Sequence, residues 1–253
     1  MKMKIKKAKT TSSVFDKNKM LLSEHSEFSI KEAFKTLRTN VMFSLPGKES
    51  KCIGIVSANR GEGKSSVALN LGISFAQIGK KVIVIDCDLR LPTIATKLDI
   101  DAKPGLSNFL SGNSDMSDEL IKHSNEYGID IITSGDIPPD STTLIGSKHM
   151  ERMIEMLKKY YDYIILDFPP ITLVTDAVLL AHLVDGYLLI IKHNSSEMQR
   201  ISGMLRQLDF AGAKVIGYVY NGKNNHEKYY RGKGGYYYYN NYYYYKSNKS
   251  KSN

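Results

Sequence analysis

The chain has 253 residues, 42% of them hydrophobic, a net charge of +9, two cysteines and no tryptophan. That length fits one large α/β domain or two small ones, with enough apolar residues for a sizeable core. No uninterrupted apolar stretch is long enough to cross a bilayer, and the opening MKMKIKKAKTTSSV lacks the apolar centre of a secretory signal, so a cytoplasmic protein is expected.

Residues 1–25 are lysine-rich and without period, and are predicted to be a flexible lead. In residues 29–44, Ile30, Ala33, Phe34, Leu37 and Val41 form one helical stripe, with Ser29 as cap and Glu32 completing a capping box. From Lys51 onward strand and helix signals alternate. KCIGIVSA is a short apolar run, and SSVALNLGISFAQIG reads as a helix ended by Gly79. The runs at 81–86, 128–133, 161–167, 185–192 and 213–220 read as buried strands, and residues 147–160 and 196–208 as helices between them. Such alternation predicts a doubly wound, mostly parallel sheet with helices on both faces, its strand ends gathered at one ligand-binding edge. Cys52 and Cys87 fall beside or within these strands and are expected to be core residues. The domain is predicted to span 26–222, followed by a flexible tail, 223–253.

The charge is not spread evenly. Residues 1–20 hold seven lysines against one aspartate, and residues 222–253 hold seven lysines and arginines against one glutamate. The body between them is therefore mildly acidic, which argues against a nucleic-acid surface on the domain. Basic ends are usually just solvated; near an anionic membrane each lysine adds about 1 kcal/mol of attraction.

At the end of the first strand stands SANRGEGKSS, residues 57–66. It fits the phosphate-loop spacing, with Ala58 in the opening position. Gly61 and Gly63 let the backbone approach an anion and aim N–H groups at it. The helix beginning at Lys64 turns its positive end to the same place. Lys64 would reach the β- and γ-phosphates of a nucleoside triphosphate, and the Ser65 hydroxyl would ligate Mg²⁺. Glu62 and Ser66 complete the nucleotide-binding stretch. Two further strand ends carry acids: Asp86 and Asp88 in VIVIDCDLR, and Asp167 in IILDFPP. Carboxylates opposite a phosphate loop suit a Mg²⁺–nucleotide site.

The end of the chain is the puzzle. Tyr229, Tyr230, Tyr236, Tyr237, Tyr238, Tyr239, Tyr242, Tyr243, Tyr244 and Tyr245 are ten of its 17 tyrosines. Gly, Asn, Ser and Lys between and around them favour turns over a packed strand. A sticky low-complexity tail, an aromatic nucleic-acid platform and a row of phosphate acceptors all fit that composition.

Taken together, these motifs resemble the bacterial tyrosine kinases, most closely the stand-alone kinases of Gram-positive capsule and exopolysaccharide systems (the CpsD/CapB group), from Glu32 onward. SANRGEGKSS resembles the family's Walker A loop, VIVIDCDLRLP its Walker A′ motif and IILDFPP its Walker B motif; GLSNFLSG and SGDIPPD resemble blocks between them. The resemblance implies a MinD/ParA-like P-loop core and ATP and Mg²⁺ as cofactors. It makes Lys64, Asp86 and Asp88 catalytic, with Asp86 the proton acceptor. Ser65, Asp88 and Asp167 would support the metal, and Asn221 would read adenine. The terminal tyrosines would be the autophosphorylation site. Glu32, Lys35 and Arg38 would be the oligomer contact of a ring-like assembly. A membrane adaptor would recruit the chain to the inner face of the membrane, and a tyrosine phosphatase would reverse its modification. Lys35 stands in place of an arginine, Arg60 of a proline, Phe168 of a threonine, and Asp140-Ser141 of Asn-Pro. The rival is a dimeric ATPase switch of the kind that positions septa or partitions plasmids, whose early loop lysine is replaced here by Asn59. A nucleic-acid binder and an ATPase with an inert tail stand further off.

Overall fold

The computed structural model describes residues 21–47, 49–117 and 119–222. Seven strands form one sheet: β1 (Lys51–Ser57), β2 (Val82–Asp86), β3 (Lys122–Ser124), β4 (Ile129–Ile132), β5 (Tyr163–Asp167), β6 (Gly186–Lys192) and β7 (Val215–Asn221). Their order is β3-β4-β2-β5-β1-β6-β7, parallel except for the antiparallel β3–β4 pair.

The central strands are apolar throughout because both of their faces are covered. Ile83, Ile85, Ile164 and Leu166 enter one core layer, while Val82, Val84, Tyr163 and Ile165 enter the other, the period of two expected of a pleated strand. Helices α1 (Phe28–Ser44) and α2 (Lys64–Ala76) pack on the second layer. On the first lie α6 (Lys148–Leu157), through Met150, Met153, Ile154 and Leu157, and α8 (Met198–Phe210), through Met204 and Leu208. Four short helices sit in the connections: α3 (Ile94–Leu98), α4 (Leu106–Leu110), α5 (Ser141–Ile145) and α7 (Asp176–Leu179). Gly79 ends the α2 connection at φ 76°, as its position in the sequence suggests. Gly54, midway along β1, leaves room for a ring: a Cβ there would lie 2.5 Å from Tyr187. That tyrosine is fully buried and donates to the Ala177 carbonyl at 2.6 Å, tying β6 to α7.

Several local expectations change. Leu21 and Leu22 are buried against the α2 layer, and the Leu22 amide donates to Asn70 Oδ1 at 2.7 Å, so the lead cannot extend to residue 25. Helix α1 starts one residue earlier than expected, after Glu27, and Ser29 lies in its first turn with its hydroxyl on Glu27 instead of capping. Only Phe34, Leu37 and Val41 of the α1 stripe pack inward; Ile30 and Ala33 are exposed. Strand β7 is an edge strand, with Tyr218 and Tyr220 more than half exposed. The short strand β3 was not expected. Both cysteines are buried thiols, as expected of core residues. No helix among the described residues is long and apolar enough to cross a membrane.

Candidate active site

The turn from β1 into α2 builds the first wall. Gly61 and Gly63 take φ of 72° and 97°, a region closed to most side chains, and a Cβ on Gly63 would meet Asn221 Nδ2 at 2.1 Å. The first turn of α2 carries no acidic residue, so its positive end is left for an anion.

Glu62 holds this loop from behind. Its side chain is fully buried and accepts from the Asn59 amide at 3.1 Å, from Asn59 Nδ2 at 3.2 Å and from Ser196 Oγ at 2.5 Å. The Glu62 carbonyl accepts from Asn221 Nδ2 at 2.9 Å, and the Gly61 carbonyl from Lys192 Nζ at 3.1 Å. Glu62 therefore braces the loop through its side chain, whose partners are Asn59 and Ser196, and Asn221 reaches the loop from the end of β7. The sequence showed Glu62 as a member of the loop but gave no sign of its partners, which lie on distant segments.

Strands β2 and β5 run in register and bring Asp86 opposite Asp167. Both are buried. One Asp86 oxygen accepts from the Asp88 amide at 3.2 Å; the other accepts from the Thr93 and Ile94 amides at 3.2 and 3.1 Å, at the start of α3. Burial, then the Asp167 charge, pushes its carboxyl up, while the amides of Ile94 and Asp88 oppose that. Asp167 is pushed up to about 6, first by burial; Lys64 and the Ser65 hydroxyl act against the shift. Its Oδ1 is buried without a hydrogen-bond partner among the described residues. Asp88 is half-buried and accepts from the Leu91 amide at 3.0 Å. Ser65 Oγ receives the Thr93 hydroxyl at 2.8 Å, and Lys64 is buried in the first turn of α2 beside half-buried Ser66.

These donors fit Mg²⁺. The orphaned Asp167 oxygen and the adjoining Ser65 hydroxyl are hard oxygen ligands, and Mg²⁺ takes few of these from protein and the rest from phosphate and water. No three His, Cys, Asp or Glu side chains among the described residues form a metal cage of their own. One further group was not legible in the sequence. Arg90, two residues past Asp88, donates to Asp176 Oδ2 at 2.7 Å and to Thr142 Oγ1 at 2.7 Å, and Thr142 donates to Asp176 Oδ1 at 3.0 Å. Asp176 is fully buried and Arg90 half-buried, so this arginine joins the acid loop to α5 and α7 through an ion pair whose carboxylate is desolvated.

The remaining candidates lie apart from the site. Lys35 pairs with Glu32 at 2.7 Å on an exposed turn of α1, whereas Arg38 reaches inward to the Ser74 carbonyl and hydroxyl at 2.5 and 3.2 Å. The tyrosines at 229–245 fall outside the described residues.

A parallel sheet whose first strand runs into such a loop, with aspartates at two neighbouring strand ends, defines a P-loop nucleotide-binding protein. Residues 50–214 match the family described as AAA domain. The chain is 38% identical over 200 residues to the tyrosine-protein kinase YwqD of Bacillus subtilis, covering 78% of this chain and 84% of that one. It is 36% identical over 200 residues to the tyrosine-protein kinase CpsD of Streptococcus agalactiae serotype III, covering 79% and 85%. Among solved structures, the kinase domain of Escherichia coli tyrosine kinase ETK superposes with a TM-score of 0.75 at 29% identity, over 81% of this chain and 80% of that one. The chain belongs to the bacterial tyrosine-protein kinases. The septum site-determining protein MinD of Pyrococcus horikoshii, at 24% identity and a TM-score of 0.56 over 67% of this chain and 69% of that one, shares the fold.

Proposed function

We propose that the chain transfers the γ-phosphoryl group of ATP to tyrosine, and that its substrate is the cluster Tyr229–Tyr245 of another copy. One observation carries the reading: a kinase-family nucleotide site is followed in the same chain by ten closely spaced tyrosines. Asn59 supports it against the ATPase switch, because the residue standing where that class has its reaching lysine is turned inward onto Glu62.

Lys64 and the amides of residues 61–66 draw the transferred charge toward the loop. Asp86 takes the tyrosine proton; the α3 amides fix its orientation, and burial raises its proton affinity toward that of a working base. Asp88, Asp167 and Ser65 would hold Mg²⁺, which when bound neutralises charge between the β- and γ-phosphates. Asn221, which reaches the loop from β7, reads the base. A membrane adaptor brings the chain to the inner membrane face to regulate capsule or exopolysaccharide synthesis, and a phosphatase resets it.

The tail also gives this reading a switch. Its lysines and arginines favour an acidic body, and each phosphate adds about −1.5 to −2 charges. A few transfers reverse the sign, so unmodified copies associate, in a ring that uses Glu32, Lys35 and Arg38, and modified copies part.

Phosphotyrosine mapping of the wild type and Lys64→Met, each with Mg²⁺–ATP and with or without the cytoplasmic end of an adaptor, tests this. Phosphate on residues 229–245 in the wild type alone is the expected result. ATP hydrolysis with no phosphotyrosine under any condition would return the chain to the ATPase-switch class.

A further inference from the structure

Outside the phosphate site, an open groove of about 440 Å³ lies between the segment that follows β4 and the helices α4 and α5. Strand β4 neighbours β2 in parallel, so the groove opens at the same edge of the sheet as the acids. Arg90 fastens its α5 wall to the acid loop through Thr142.

The lining has three parts. Ile137, Pro138, Pro139 and Leu144 give an apolar surface, and Ile137 is left 69% exposed. Ser107 contributes a buried hydroxyl that has no hydrogen-bond partner among the described residues. Asp136 and Asp140 stand at the rim; Lys103 and Asn108 hold the first carboxyl below its usual range, and Thr143 holds the second. Lys103 offsets one of these charges and leaves the rim acidic.

We propose that this groove is the acceptor subsite of the kinase: it seats one tyrosine ring from residues 236–245 of a second copy while a neighbouring tyrosine reaches Asp86. This rests on the kinase reading above. An apolar wall with one unpaired hydroxyl matches a phenol, whose ring is apolar and whose oxygen needs a partner when buried. The acidic rim matches Lys233, Lys246 and Lys249, which flank the tyrosine runs. Thirteen residues lie between Gly222 and Tyr236, enough chain to span up to about 45 Å from the second copy's domain. Runs of four also acquire a reason. A shift of one place along the groove seats an equivalent ring and presents a fresh hydroxyl, so one docking mode serves many acceptors. Each phosphate added beside Asp136 and Asp140 weakens the seat, and the spent segment leaves.

The test uses the full chain and a fluorescent synthetic copy of residues 231–253. Binding is read by anisotropy and acceptor kinetics by phosphate transfer. Asp136→Lys combined with Ile137→Ser should weaken peptide binding and raise the acceptor KM at least tenfold, with the KM for ATP unchanged. A peptide with Lys246→Glu and Lys249→Glu should recover affinity on the Asp136→Lys chain. Ile137→Asn, at an exposed position that does not support the fold, should reproduce part of the loss by itself. Equal peptide affinity in wild type and variants, or no binding by the wild type, overturns the subsite. Transfer with an unaltered acceptor KM in the variants removes the groove and leaves the kinase. Groove-dependent binding without any transfer does the reverse.

Discussion

The ends of β2 and β5 stand side by side in register, and each carries a buried aspartate, yet the two are held differently. Asp86 accepts from three backbone amides and starts α3; Asp167 keeps an oxygen with no partner among the described residues. One is built into the fold and oriented by it. The other is held beside Lys64 at the expense of stability, which is what the metal role proposed for it would require. Asp176 is a third case, buried and matched in full by Arg90 and Thr142.

Substitutions sharpen this contrast, beginning with the cation beside Asp167. Lys64→Met should lower phosphotyrosine formation on the order of 10³-fold, measured by single-turnover transfer. A fall of less than tenfold would detach Lys64 from the transferred phosphate. Arg90→Ala leaves Asp176 charged and unpaired in the core and should lower stability by about 3 kcal/mol in urea unfolding. Asp86→Ala frees three amides and should lose about 2 kcal/mol as well as activity. If it loses only activity, the amides do not depend on it.

Asp167→Asn should act in the opposite sense on the nucleotide-free protein. Its carboxyl ionises near pH 6 when folded and near 3.8 when unfolded. Above pH 6 the fold carries a charge it disfavours, and below about 3.8 both states are protonated. The asparagine should therefore add on the order of 2 kcal/mol at pH 7.5, a gain that fades as pH falls toward 4. Thermal unfolding across that range checks it, and a gain that grows on acidification would reverse the assignment. The smallest effect belongs to the exposed Glu32–Lys35 pair. Glu32→Ala should change stability by less than about 0.5 kcal/mol, and any larger consequence should appear in assembly size by light scattering.

The strands and the three acids were legible because each is written locally: a doubly covered strand is apolar at every position, and a phosphate loop has a fixed spacing. Strand β3 was not, since Lys-His-Ser has neither alternation nor length and forms only because β4 offers an edge. Leu21 and Leu22 sit in a polar stretch of sequence, and Leu22 is fixed by Asn70, 48 positions away. Ser29 looked like a cap because its type and spacing fit, but the chain had already turned helical at Phe28. The Arg90–Asp176 pair joins residues 86 apart, and no local pattern announces it. The Leu22–Asn70 and Arg90–Asp176 contacts escaped because each relates distant segments.

The clasp around Glu62 has a consequence for timing. Asn59, Ser196, Lys192 and Asn221 hold residues 61 and 62 through bonds made within the chain, which need no nucleotide to form. Little ordering is then left to the encounter, and affinity is not spent on freezing the backbone. A preorganised loop fills at a rate set by diffusion and charge rather than by rearrangement of the backbone.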